Sequence, residues 1–169
     1  MDLPVNPPLD PMLAKAAKAV PGEGYSHEPK WDGFRALIFR DGDEVFIGSR
    51  SGKDLGRYFP EVVAAARAEL PERCVLDGEI AVAVHREGRK RLDWESLSAR
   101  IHPAESRITK LSEETPAIFI GFDAIAMADV DLTGKPFSAR RQVLVSAYAG
   151  TGTCKISRVT TDAEAAADW

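Results

Sequence analysis

Short apolar strands and amphipathic stretches succeed one another along the chain without a fixed period. Phe34-Arg35-Ala36-Leu37-Ile38-Phe39 alternates in part, and Arg40-Asp41-Gly42-Asp43 then supplies an Asp-Gly turn into Glu44-Val45-Phe46-Ile47. Such a turn between two apolar runs predicts a β-hairpin. Residues 57–70 place Phe59, Val62, Val63, Ala66 and Leu70 on one helical face, and Pro71 ends the run. That spacing predicts an amphipathic helix lying on a sheet. Cys74-Val75-Leu76 and the run from Ile80 to Val84 read as strand on either side of Asp77-Gly78-Glu79, and the charged stretch from His85 to Arg91 reads as a solvated turn. A short helix is expected over Leu92 to Arg100, and a polar connection over His102 to Thr115. The near-continuous apolar run from Ala117 to Met127, broken only by Asp123, suits a strand covered on both faces. Phe137 to Ala149 is again helical.

The ends are read the same way. Asn6-Pro7-Pro8-Leu9-Asp10-Pro11 predicts an extended lead-in, followed by a short packing helix over Met12 to Val20 that Pro21-Gly22 stops. Thr161-Asp162-Ala163-Glu164 has the pattern of a capping box and opens a last helix, which the chain leaves at Trp169 after little more than two turns. With strands and helices mixed irregularly and no internal repeat, the fold class expected is α+β rather than a regular βαβ wind.

Composition changes the picture in three ways. A chain of 169 residues with 44% hydrophobic and 28% charged content is long enough to bury one core without staples. Its two cysteines, Cys74 and Cys154, have no CxxC partner, so neither a zinc site nor a disulfide framework is supported and a reducing cytoplasm is the expected setting. No stretch approaches the roughly 18 apolar residues of a membrane span. A net charge of -4 argues against a self-sufficient nucleic-acid binder, because Lys and Arg dominate such affinity.

Four elements carry candidate chemistry. Lys30 lies in Glu28-Pro29-Lys30-Trp31-Asp32-Gly33-Phe34-Arg35, just before the first strand. A lysine is a nucleophile only as the neutral amine, which calls for partial desolvation or nearby positive charge. Flanking bulk supplies the first, Asp32-Gly33 bends the chain, and Arg35 falls where a strand end directs a guanidinium toward a phosphate. The plainer alternative is a surface lysine before a turn. Ser49-Arg50-Ser51-Gly52-Lys53 offers two cations and two hydroxyls to phosphate or ribose oxygens, or is simply an exposed basic turn. Asp77 and Glu79 either project from one strand face toward a cation, a hydroxyl or Lys30, or are both exposed by a bulge at Gly78. Phe122, before Asp123, either floors a base-binding slot or is core.

Taken in this order, the four elements resemble those of the covalent nucleotidyltransferases, the superfamily of ATP-dependent DNA ligases, RNA ligases and mRNA capping enzymes. Lys30-Trp31-Asp32-Gly33 looks like the KxDG nucleophile motif, Ser49 to Lys53 like the SRxGK element, Asp77-Gly78-Glu79 like the DGE motif, and Gly121-Phe122-Asp123 like the later strand whose aromatic stacks on the nucleobase. The lead-in from Asn6 to Ala14, and Leu132, Pro136-Phe137 and Arg140-Arg141 farther on, resemble the bacterial ATP-dependent DNA ligases of the C and D type.

The resemblance implies an ATP-grasp-like nucleotidyltransferase adenylation domain of largely antiparallel sheets packed with helices. It implies ATP and Mg²⁺ as cofactors, with Lys30 attacking the α-phosphate and Asp32 beside it as the catalytic pair. By the same token Glu28 and the backbone near Pro29 address the adenine edge, Phe122 stacks on its face, Arg35 and Arg50 hold ribose or phosphate, and Glu79 contacts the ribose or supports the metal. Nicked DNA and DNA repair proteins are the implied partners of a monomer that needs no membrane. The expected domain assignment is residues 1–169 as part of an adenylation domain, without the EG and KxK motifs and the OB-fold domain that follow in the family. On that view the chain alone is a poor ligase or an inactive one. An RNA ligase or capping-type enzyme, and a non-catalytic nucleotide-binding module, are the competing readings.

Overall fold

The Asp-Gly turn closes the expected hairpin. Strand β1 (Phe34–Asp41) pairs antiparallel with β2 (Glu44–Ser49), Asp41 lying opposite Glu44. Gly42, at φ 61, takes the first central position, as a two-residue II′ turn demands. The computed structural model describes residues 1–86 and 88–169, the side chains of residues 86, 89 and 90 excepted.

Strand β3 (Arg73–Arg86) runs antiparallel between β1 and β5 (Ala117–Met127), and the short β6 (Val130–Asp131) continues the sheet beyond β5. Two strands join off this path: β4 (Arg89–Leu92) pairs with β3, and β7 (Cys154–Ile156) runs parallel to β5. Every other pairing is antiparallel, in accord with the expected fold class.

Alternation along β1 divides the molecule into two layers, because successive strand residues face opposite sides. Ala36 and Ile38 join the larger core with Leu76, Ile80 and Phe119 of the sheet, Val62 and Ala66 of α1 (Pro60–Glu69), Leu97 of α2 (Trp94–Ser98) and Leu144 of α4 (Phe137–Ala147). Leu37 and Phe39 face the other way, where Leu3 is buried and Val5 and Leu9 pack over Val75 and Ala126. The N-terminal segment therefore covers one end of the second face. Arg35, Asp77 and Glu79 share the strand parity of that face.

Two local expectations fail. Residues 12–20 form no helix, and Met12, Leu13 and Val20 stay exposed. An alanine-rich stretch this short does not hold a helix without an apolar face to bury. The polar connection over His102 to Thr115 instead contains helix α3 (Glu105–Glu114), which buries only Ile108 and so gives a weak apolar pattern. Asp77-Gly78-Glu79 lies within a single strand, β3, as the sequence leads one to expect. The turn expected over His85 to Arg91 narrows between β3 and β4; Glu87, at its centre, lies outside the described residues. Helix α5 (Ala163–Ala167) forms where expected but is capped by Asp162, whose carboxylate accepts from the N–H groups of Glu164 and Ala165. No helix among the described residues is long and apolar enough to cross a membrane.

Candidate active site

The lysine segment has little regular structure of its own. It is stitched at His27, whose N–H donates to the Thr160 carbonyl at 2.7 Å and whose carbonyl accepts from Thr160 at 3.0 Å. Lys30 is exposed, and among the described residues its amine has no hydrogen-bond or ion-pair partner. The expected cover by flanking bulk is not found here, because the Trp31 indole N–H is turned to Ser157 Oγ at 3.0 Å. Three residues on, Gly33 meets the sheet so closely that a Cβ would stand 2.3 Å from the Ile80 carbonyl oxygen and 2.8 Å from Glu79 Cγ. Only glycine lets the chain pass Glu79 on its way into β1.

Cross-strand registry then assembles the polar floor. Arg35 lies opposite Glu79 and diagonal to Asp77, whose direct partner is Leu37. Its guanidinium forks onto Asp77, Nε to Oδ1 at 2.6 Å and Nη2 to Oδ2 at 2.7 Å. Burial acts on both members of this pair; the pairing more than offsets it for Arg35 and only in part for Asp77, whose carboxyl stays raised. Of the two readings of Asp77 and Glu79, the shared strand face is therefore the one observed, with Asp77 paired inward. Burial also raises the Glu79 carboxyl, and the charges of Arg35 and Lys30 counter it in part.

A bulge is present, but on the neighbouring strand. Asp77 pairs with Asp123 while Gly78 pairs with Gly121, so Phe122 is the extra residue of β5. A bulged residue is re-aimed relative to its strand, and Phe122 comes to line the cleft with the Arg35 guanidinium 4.7 Å from its ring centroid. Gly78 has no room for a side chain, since a Cβ would stand 2.4 Å from the Phe119 ring. Asp123 turns away to a second arginine fork, held by Arg140 Nη2 at 2.8 Å and Nε at 2.9 Å.

The basic loop after β2 is closed by its own hydrogen bonds. Gly52 N–H donates to the Ser49 carbonyl at 2.9 Å, and Ser49 Oγ accepts from Lys53 N–H at 2.9 Å. With the backbone satisfied in this way, Arg50 and Lys53 are exposed and, among the described residues, unpaired.

Seven of the eight sequence candidates line one cleft of about 620 Å³: Glu28, Pro29, Lys30, Arg35, Arg50, Glu79 and Phe122. The wall opposite the sheet is Pro11, Leu13 and Ala14 from the lead-in, and Met12 O accepts from Arg35 Nη2 at 3.4 Å. Asp32 is the exception: it is exposed and lines neither this cleft nor its neighbour. Arg35, Arg50 and Glu79 are shared with a second cavity of about 750 Å³ that adds Ser49, Ser51, Lys53 and Tyr58, so the two form one trough. Among the described residues no group of three or more His, Cys, Asp or Glu side chains is placed to hold a metal. Glu79 is the carboxylate in the trough's shared wall, which suits Mg²⁺, an ion that keeps several waters and takes one or two protein carboxylates beside substrate phosphates.

Two further residues hold this site: Ser157, which the sequence does not single out, and Arg141, which it offers only as part of the resemblance to the C- and D-type ligases. Arg141 of α4 reaches Glu28 Oε1 with Nη1 at 3.3 Å and the Ser157 carbonyl with Nη2. Burial pushes the Glu28 carboxyl up, and Arg141 pulls it back in part. Both contacts span more than a hundred residues or join separate elements, and no local pattern announces them.

Comparison with known proteins decides the family. The profile of the ATP dependent DNA ligase domain matches residues 11–169. The chain belongs to the ATP-dependent DNA ligases. DNA ligase C1 of Mycolicibacterium smegmatis is 58% identical over 171 residues, covering 100% of this chain and 49% of that protein. DNA ligase C of Mycobacterium tuberculosis is 53% identical, covering 100% of this chain and 47% of that protein. This ligase-family chain thus spans about half the length of the curated relatives it matches. Its fold is that of the ligase domain of M. tuberculosis LigD, which superposes with a TM-score of 0.66 at 26% identity over 94% of this chain and 48% of that one. A mycobacterial DNA ligase D complexed with ATP and MES matches with a TM-score of 0.65 at 26% identity, again over 94% of this chain and 48% of that one.

Proposed function

We propose that the 620 Å³ cleft binds ATP and that Lys30 becomes adenylated as the first step of DNA nick sealing. The observation that carries this reading is the convergence of Lys30, Glu28, Phe122, Arg35, Arg50 and Glu79 on one cavity from four separate stretches of sequence. Its volume is in the range of small-molecule sites. The adenine ring lies on Phe122 with its edge toward Glu28, the ribose and phosphates run along Arg35 and Arg50, and the α-phosphorus faces the Lys30 amine. Neutral Nζ attacks that phosphorus, the bond to pyrophosphate breaks, and the lysine nitrogen keeps AMP as a phosphoramidate after losing its second proton. Glu79 would hold Mg²⁺ beside the phosphates, where the ion would supply charge neutralisation to the departing oxygens. AMP then passes to the 5′-phosphate of a nick, and the adjacent 3′-hydroxyl displaces it.

The cationic, hydroxyl-rich second cavity fits the phosphate backbone of nicked DNA, the macromolecular partner in this reading. The chain forms part of an adenylation domain whose remaining metal and phosphate ligands, and whose OB-fold, lie in the other half of the length seen in its relatives. Two buried free cysteines fit a reducing cytoplasm, where it acts as a monomer alongside DNA repair proteins. Asp32 keeps a supporting role beside the lysine loop rather than in the cleft.

The test compares radiolabel transfer from ATP and from GTP to this chain, alone and fused to the C-terminal half of DNA ligase C1, followed by sealing of nicked DNA and nicked RNA. Label from ATP, absent in Lys30→Ala, with sealing of DNA is the expected result. Label from GTP alone, or sealing of RNA only, overturns the assignment.

A further inference from the structure

The segment that carries Lys30 lies outside every helix and strand, yet residues on both sides of the lysine, Glu28 and Trp31, are anchored to one cluster. Glu28 is bound by Arg141 Nη1 at 3.3 Å, and Trp31 donates its indole N–H to Ser157 Oγ at 3.0 Å. The two anchors are themselves joined, because Arg141 Nη2 donates to the Ser157 carbonyl. Ser157 N–H in turn donates to the Gly121 carbonyl at 2.8 Å, the residue just before the Phe122 bulge. Ser157 is 1% exposed and the Arg141 side chain 12% exposed, so water does not compete freely for these bonds. One cluster thus sets the distance between the lysine segment and the aromatic that floors the cleft.

We infer that Arg141 and Ser157 form a clamp that positions the Lys30 segment against the Phe122 strand, acting as positioning residues that do not themselves touch the nucleotide. This rests on the reading of Lys30 as the adenylated residue. The clamp supplies order that the segment lacks: apart from the Trp31 and Glu28 anchors, the described residues hold it at His27, bridged to Thr160, and at Gly33, packed against Ile80 and Glu79. Arginine suits the post because its planar fork serves two acceptors in different directions, while a lysine offers a single point charge.

The experiment measures amide hydrogen exchange by mass spectrometry on the parent chain and on Ser157→Ala, Arg141→Gln and Arg141→Lys. The expected result is a roughly tenfold faster exchange confined to residues 27–32 in Ser157→Ala and Arg141→Gln, with β1, β3 and α1 unchanged. Arg141→Lys restores part of the protection and guards against a variant that does not fold. In a form competent for adenylation, Ser157→Ala lowers the maximal rate of lysyl-AMP formation by roughly tenfold to a hundredfold while the KM for ATP stays within about twofold, since a small misplacement of a nucleophile acts on the chemical step. Unchanged exchange at 27–32, or an equal increase throughout the sheet, overturns the clamp. Local acceleration in a protein that never adenylates Lys30 supports the clamp and removes the adenylation reading instead.

Discussion

Arg100 is fully buried, and its removal gives the sharpest test of how the trough is supported. Its guanidinium forks onto Glu61 of α1, Nη1 to Oε1 at 2.6 Å and Nη2 to Oε2 at 2.9 Å. The same two nitrogens also donate to the carbonyls of Thr115 at 3.2 Å and Tyr58 at 2.8 Å, and the group lies 5.0 Å from the Phe59 ring centroid. Glu61 closes the network by accepting from the Ala117 N–H at 2.8 Å, at the start of β5. In Arg100→Met the carboxylate loses its charge partner and two carbonyls lose their donors. Breaking a buried pair by removing one member costs about 3–5 kcal/mol. With 18% of the Glu61 side chain exposed, water recovers part of this, so the lower end of that range is expected. Urea unfolding should show the midpoint falling at constant m, with Tm lower by roughly 6–12 °C for a domain of this size. Arg100→Met/Glu61→Met should cost less than the two single changes added together, because neither partner is then stranded. A loss below about 1 kcal/mol in Arg100→Met would refute the reasoning, since it would show that the network adds little beyond packing. Tyr58 and Ile101 line the second cavity on either side of this network, so the same variant should also weaken DNA binding.

Three further outcomes follow from the geometry. Phe122→Ala should weaken ATP binding by roughly 1–3 kcal/mol, about 5- to 150-fold in Kd by titration calorimetry, and equal affinity of variant and parent would exclude stacking. Burial raises both Glu28 and Glu79 above the ordinary value of 4.5, so the folded chain holds more protons than the unfolded one in the window above it. Stability of the unliganded chain should then fall as pH rises through that window, and Glu28→Gln and Glu79→Gln should flatten the profile; a profile that rises instead contradicts the sign. Gly33→Ala must displace the chain from the Ile80 carbonyl and Glu79, with an expected cost of about 1–3 kcal/mol and a loss of adenylation larger than the stability change explains. Normal lysyl-AMP yield in that variant would show that the close approach is dispensable.

The sequence discloses most of this site because its parts are carried by short local patterns. The Asp41-Gly42 turn sets the register of β1, the apolar run from Ala117 sets β5, and Lys30, Arg35, Glu79 and Phe122 fall into one cleft once those strands pair. What stays hidden depends on contacts between distant residues. The stretch over Met12 to Val20 forms no helix, and its Leu13 and Ala14 line the cavity instead, because no apolar face is there for a helix to bury. Phe122 reaches the cleft through a bulge that only the pairing of Asp77 with Asp123 and Gly78 with Gly121 reveals. Arg100 and Arg141 look like surface charges in one dimension, and their acceptors come from loops and strands far along the chain. Asp32 illustrates the converse: a motif position two residues from the lysine that is exposed and does not line the cleft.

The most direct test of the account is an intact-mass and peptide-mapping measurement after incubation with ATP and Mg²⁺, on the chain alone and on its fusion to the C-terminal half of DNA ligase C1. An AMP adduct on Lys30, removed by pyrophosphate and absent from Lys30→Ala, is the predicted result. An adduct on another residue, or none in either form of the protein, would contradict it.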